Sequence, residues 1–267
     1  MKTSRSLLLA LVLSGALTVT AACGDKKDNG GTAPAAGGSA SAAASPQADA
    51  RTELINAFNK LNTVTLAYTA NTETGTVATT KLNGSSDPVK KAASGSMTIS
   101  AQGTQITADL VVVGTDVYLK LSVPLPGIDP KKWLYIDGAK TSLSKLGLGS
   151  PDDPANVKGL ADAIATVERD GPGGYKGTFD MTKRNLPEAS TAMLQQMGDA
   201  AKSVPFEATV GADGYLTALT VKMPAAGQVP ATTSTTTFSD FGKPVSISKP
   251  ADADVQPAPA ALLSQFA

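Results

Sequence analysis

Histidine is absent from these 267 residues, and cysteine occurs once. Without an imidazole, the Ser-His-Asp and Cys-His arrangements that activate a nucleophile are excluded. A zinc site built on His and Cys ligands is excluded with them. One thiol rules out a disulfide within the chain. Aromatic residues make up only 4% of the sequence. Neither sign of charge dominates, because Lys+Arg and Asp+Glu both number 23. No basic field is therefore available to draw nucleic acid. Gly171-Pro172-Gly173-Gly174 is rich in glycine, but it lacks the following Lys and Ser/Thr of a phosphate cradle and leads into a strand pattern. Neither a metal nor a cofactor is expected.

What is present begins at the N-terminus. Lys2 and Arg5 form a positive start, and Leu7 to Leu17 is an apolar run of secretory length, short for a membrane span. Small residues Thr20-Ala21-Ala22 follow, then Cys23 and Gly24. This order resembles a bacterial lipobox, with Thr20 where leucine is usual. The expectation is a signal peptide over 1–22, cleaved so that Cys23 becomes a lipidated N-terminus. An acylated Cys23 would hold the protein on the outer face of the cell membrane, since two or more acyl chains anchor stably where one is marginal. The bland reading is an ordinary secreted chain with an incidental cysteine. Residues 23–47 are Gly, Ala, Ser, Pro and charge without apolar periodicity, which is the composition of a disordered tether.

From Ala48 the pattern changes. Leu54, Ala57, Phe58 and Leu61 recur at helical spacing. Alternation then sets in over 63–72, with Val64, Leu66 and Tyr68 on one face. Residues 82 to 95, with Asn83-Gly84 and Asp87-Pro88, are expected as a loop or open hairpin end. Three strands follow, through SMTISAQG, TQITADLVVVG and TDVYLKLSV, punctuated at Gly103 and Gly114. Ile106, Ala108, Leu110 and Val112 share one face, as do Val117, Leu119, Leu121 and Val123. KKWLYIDG adds a strand with Trp133 and Tyr135 on one side. ANVKGLADAIATVERDG is expected as a helix with Val157, Leu160, Ala161 and Ile164 as its stripe. YKGTFDMT is a strand, and LPEASTAMLQQMGDAAK a third helix opened by Pro187. PFEATVGADGYLTALTVKM is a hairpin through Ala212-Asp213-Gly214, followed by TSTTTFSDFG and PVSIS. Residues 251–267 are expected as a loose tail. Strands outnumber helices about three to one, and one domain over 48–250 is the expected unit.

Several of these segments resemble the actinobacterial LppX/LprA/LprF/LprG lipoproteins. They are Ala212-Asp213-Gly214-Tyr215-Leu216, the run Phe238 to Val245, Tyr175 to Asp180, and Lys132 to Asp137. The resemblance implies an α+β fold: a single twisted antiparallel half β-barrel wrapping a few helices, LolA/LppX-like. It also implies an apolar cavity between sheet and helices that takes acylated lipid or lipoglycan, an envelope transporter as a partner, and no enzymatic activity. Cavity-lining candidates under that implication are Phe58, Leu110, Val112, Leu119, Leu121, Trp133, Ile164, Phe179, Met193 and Met197. The competing reading makes those side chains ordinary core, and the protein a surface-anchored scaffold with no lipid cargo. A hydrolase would have to use Ser142 and Lys145, which match S-x-x-K, but the S-D-N and K-T-G partners are missing. Asp152-Asp153 has the character of a helix start rather than a metal pair.

Overall fold

The computed structural model describes residues 46–124, 127–139, 158–184, 186, 188–227 and 229–263. The signal-like segment, Cys23, Ser142, Lys145, Asp152, Asp153, Val157 and Pro187 lie outside them. So do the first 45 residues as a whole.

Helix α1 (Pro46–Lys60) leads into β1 (Leu66–Thr74), β2 (Ala78–Asp87), β3 (Ala92–Ala101), β4 (Thr104–Val113), β5 (Asp116–Leu121) and β6 (Trp133–Asp137). Then come α2 (Lys158–Ala163), β7 (Ile164–Arg169), β8 (Gly174–Phe179), α3 (Glu188–Met197), β9 (Val204–Val210), β10 (Leu216–Met223), β11 (Thr232–Ser239), β12 (Val255–Pro257) and α4 (Ala260–Leu263). All twelve strands join one open, curled sheet in the order β12-β6-β5-β4-β3-β2-β1-β11-β10-β9-β8-β7. Every pairing is antiparallel except β12 with β6, which is parallel. Neighbours in sequence are mostly neighbours in the sheet, as short connections demand. The exceptions are β12 with β6 and β1 with β11, the latter joining the first strand to the second-last at mid-sheet.

The registers give the sheet two consistent faces, because cross-strand partners share a face and successive residues alternate. The inner face runs through Leu66, Tyr68 and Ala70 on β1, Leu82 on β2, Met97 on β3, Leu110 on β4, Leu119 on β5 and Leu134 on β6. In the other direction it continues through Phe238, Leu219, Ala208 and Tyr175. The outer face is mostly threonine, serine and charge, with Val111, Tyr118, Trp133 and Tyr135 on it over β4–β6. Hydroxyls there pair across strands, Thr69 with Thr237 at 2.7 Å, Thr166 with Thr178 at 2.8 Å and Thr220 with Thr235 at 3.2 Å.

Helix α1 lays Ala50, Leu54, Ala57, Phe58 and Leu61 on the inner face of β7–β10, all of them buried. Phe179 and Phe206 stack beneath it, 4.2 Å between centroids. Both ends of the helix are tied to the sheet. Arg51 donates to the Ile164 carbonyl (2.7 Å), and Lys60 donates to the Asp213 carbonyl (2.8 Å) while lying over the Tyr215 ring. A second, smaller cluster of Ala108, Val117, Leu121, Leu134 and Ile136 sits on β4–β6.

Four expectations are corrected. Residues 82–95 are not a loop: Asn83 and Gly84 lie inside β2, and the turn is confined to 88–91. The helix expected over 155–171 ends at Ala163, and Ile164–Arg169 is a strand, because β-branched Ile164, Thr166 and Val167 pair with β8. PVSIS forms no strand. The tail expected to be loose from 251 pairs with β6 and buries Ala258 in the second cluster, with Leu262 and Leu263 packed against it. The domain therefore runs past 250 to at least 263.

Candidate functional site

The inner face divides into two regions. Over β7–β10 it is covered by α1 and filled with large side chains: Phe58, Phe179 and Phe206 are among those with almost no exposure. Over β1–β5 burial is mixed: Leu66, Ile106, Val117 and Leu121 are buried, while Leu82, Met97, Ile99, Leu110, Val112 and Leu119 stay half-buried. The surface there is mostly aliphatic, interrupted by Thr72, Thr74 and Thr80. Whereas α1 packs on β7 and β10, the four-residue α4 brings only Leu262 and Leu263 against the β4–β6 end, among the described residues.

The ten lining candidates fall on both sides of this division. Phe58, Ile164, Phe179 and Met197 are buried in the helix-covered cluster, with Met193 packed against it. Leu110, Val112, Leu119 and Leu121 belong to the β4–β5 face. Trp133 is on the outer face: Leu119 pairs with Leu134, so Trp133 points the other way, 5.9 Å below the Lys120 ammonium. The ten therefore do not share one surface, and Trp133 departs from the lining role that the resemblance implied. The signal for the alternative was available, since Leu134 and Ile136 also alternate.

Between the two regions the inner face changes character. Thr72 and Thr74 on β1, Thr80 on β2, and Thr232, Ser234 and Thr236 on β11 all face inward and are half-buried. Thr72 and Ser234 share a hydrogen bond of 2.9 Å. Among the described residues, the side-chain hydroxyls of Thr74, Thr80, Thr232 and Thr236 have no protein partner. Farther along the same strands Gly84 and Gly95 pair directly. The Tyr68 ring covers them, and a Cβ added at Gly84 would come within 2.6 Å of the Tyr68 hydroxyl. A side chain there would displace the ring, so glycine is a packing requirement. Burial pushes the Tyr68 phenol up to about 12. Sequence reading missed the Gly84–Gly95 pair because it placed 82–95 in a loop.

Charge is kept elsewhere. On the inner face of β1–β6, β10 and β11 there is no Asp, Glu, Lys or Arg; Glu73, Lys81, Asp109, Lys120 and Lys222 all point outward by register. The charged cluster at the covered end is structural. Glu53 on α1 accepts from Arg169 (2.6 Å) and from the Tyr175 hydroxyl (2.5 Å), which ties the helix to β7 and β8. The Tyr175 and Arg169 hydrogen bonds hold the Glu53 carboxyl below its ordinary range, and burial, then the Glu53 bond, push the Tyr175 phenol up to about 12. A cleft of about 550 Å3 opens between the β1–β2 and β3–β4 turns, lined by Glu73, Val77, Ser100 and Gln105 among others. It is an open, mixed-polarity notch at the sheet's rim rather than the expected apolar cavity. Among the described residues no group of His, Cys, Asp and Glu is placed to hold a metal ion, and no helix is long and apolar enough to cross a membrane.

No protein family's sequence profile matches this chain, and no curated protein matches it. Among solved structures it is similar to the crystal structure of LolA superfamily protein NE2245 from Nitrosomonas europaea, at 10% sequence identity. The match covers 80% of this chain and 96% of that one, with a TM-score of 0.28. A score that low carries no inference about what this chain does.

Proposed function

We propose that this protein is a non-enzymatic envelope lipoprotein, anchored through acylated Cys23 on the outer face of the cell membrane, that binds acylated lipid or lipoglycan on the inner face of a half-barrel for transport or presentation. One observation supports this most: the uncharged inner face over β1–β5, where Leu82, Met97, Ile99, Leu110, Val112 and Leu119 are left half-buried. A sheet surface of this kind gains by covering itself. An acyl chain laid on it gains about 0.8 kcal/mol per methylene removed from water. The exchange is physical, with no covalent step, and release is possible because the face is open along one side. An envelope transporter is the partner this reading calls for.

Native mass spectrometry of the whole chain carrying Cys23→Ala, followed by organic extraction, tests the binding. That substitution removes any acyl group attached to the protein itself. The expected result is a discrete adduct of lipid mass that Leu110→Trp abolishes. A bare protein mass from several expression hosts would favour the scaffold reading and end this one. The anchor has its own test: Cys23→Ala should shift the protein from the membrane fraction to the medium, and unchanged retention would remove the lipidation claim.

A further inference from the structure

We propose that the inner face selects its amphiphile by charge, taking un-ionised, hydroxyl-bearing heads and rejecting ionised ones. This rests on the lipid-binding reading above and specifies its ligand. The residues concerned are the inward hydroxyls of Thr72, Thr74, Thr80, Thr232, Ser234 and Thr236, set between aliphatic surfaces on either side. On one side lie Val221 and Met223 of β10; on the other lie Leu82, Met97 and Ile99 of β2 and β3.

Three features converge. First, a core-facing strip would be filled most favourably by aliphatic side chains, yet six hydroxyls stand there in adjacent register. Second, four of them have no protein partner among the described residues, which leaves their donors and acceptors open to a ligand. A hydroxyl both donates and accepts, so this lane matches a diol or polyol head in either direction. Third, no charged side chain shares the inner face of β1–β6, β10 and β11. An ionised head placed on this lane would lose water without gaining a counter-charge, which is costly. The tail then lies along Leu82, Met97, Leu110 and Leu119, which sit side by side on successive strands or one step apart in register.

The test uses the whole Cys23→Ala chain and the neutral fluorescent probe N-phenyl-1-naphthylamine. Three single-chain competitors displace it, all below micelle-forming concentration: 1-O-dodecylglycerol (neutral diol), dodecanoate (anion at neutral pH) and dodecyltrimethylammonium (cation). The diol should displace the probe at concentrations about tenfold lower than either ion. The combined variant Thr72→Val, Thr80→Val, Ser234→Ala should still take up the probe and lose most of that preference. The pair Thr74→Val, Thr232→Val serves the same purpose if the triple variant unfolds. Probe uptake with ions as effective as the diol, or a preference untouched by both variants, would overturn charge selection and leave lipid binding standing. No probe uptake at all would overturn both.

Discussion

Two halves of one sheet treat the same kind of residue differently. Over β7–β10, α1 presses Leu54 and Phe58 onto Phe179 and Phe206, and nothing large there remains exposed. Over β1–β5, Leu82, Met97, Ile99, Leu110, Val112 and Leu119 are left half-buried, although Leu66, Val117 and Leu121 on the same strands are buried. Both halves turn apolar side chains inward. What differs is the size of the covering helix: α1 has 15 residues, and α4, which meets the β4–β6 end, has 4. Burial here is decided by the covering element, not by the strand.

The widest contrast should appear in truncations to alanine. Phe58→Ala or Phe179→Ala should cost about 3–5 kcal/mol in denaturant unfolding, because each empties a closed site. Leu110→Ala or Met97→Ala should cost only about 1 kcal/mol, since less surface is withdrawn from water. Equal losses in the two halves would break the comparison.

Next in size is the C-terminal segment. Ending the chain at Pro250 removes β12 and uncovers the small cluster around Leu134 and Ile136. A loss of roughly 1–3 kcal/mol is expected from the area exposed. No change would mean that the open half stands without its edge strand. Gly84→Ala tests the boundary between the halves. Crowding against Tyr68 and the Ser94 carbonyl should cost about 1–3 kcal/mol, and a neutral result would show that the ring does not lie over the glycine pair.

The pH responses are smaller. Tyr68, Tyr135 and Tyr175 are each raised from 10.0 to about 12, by burial first for Tyr68 and Tyr175, and for Tyr135 by its bond to Asp116. A raised phenol holds its proton more tightly in the fold. Its contribution is therefore complete below pH 10 and lost as pH rises toward 12. Thermal melts should decline through that window, less steeply in Tyr68→Phe and Tyr175→Phe. Glu53 has the opposite sign. Its lowered pKa contributes stability above the ordinary 4.5 that fades as pH falls below it. The pair is exposed, so Glu53→Gln should change only the acid end of the melt profile, and only slightly. An equal shift at neutral and acid pH would point to packing rather than charge.

Much of the covered half was legible in the sequence. Leu54, Ala57, Phe58 and Leu61 at helical spacing marked the inner stripe of α1, and Asp213-Gly214 marked the β9–β10 turn, where Gly214 takes φ +74°. The alternation of Ile106, Ala108, Leu110 and Val112 marked the inner face of β4. The errors cluster where two signals competed. Asn83-Gly84 is a strong hairpin signal, but both residues are held in β2 by pairing with β1 and β3, and Gly84 is there to make room for a ring. Ile164 continued a helical stripe by spacing, while its β-branched neighbours belonged to an edge strand. The C-terminal segment had the composition of a tail and gained structure only by meeting β6.

By itself the sequence determined the strand-rich class, the alternation on most strands, the first helix, and the exclusion of chemistry that needs histidine or a zinc site built on His and Cys. These are local or compositional properties, and no partner segment is needed to express them. Only the tertiary structure decided which apolar faces are covered, that Trp133 faces outward, and that threonines from β1, β2 and β11 meet in one uncharged lane. The reason is register. A side chain's face is set by a period of two, but its neighbours come from strands more than 150 residues apart, as Thr72 and Ser234 are.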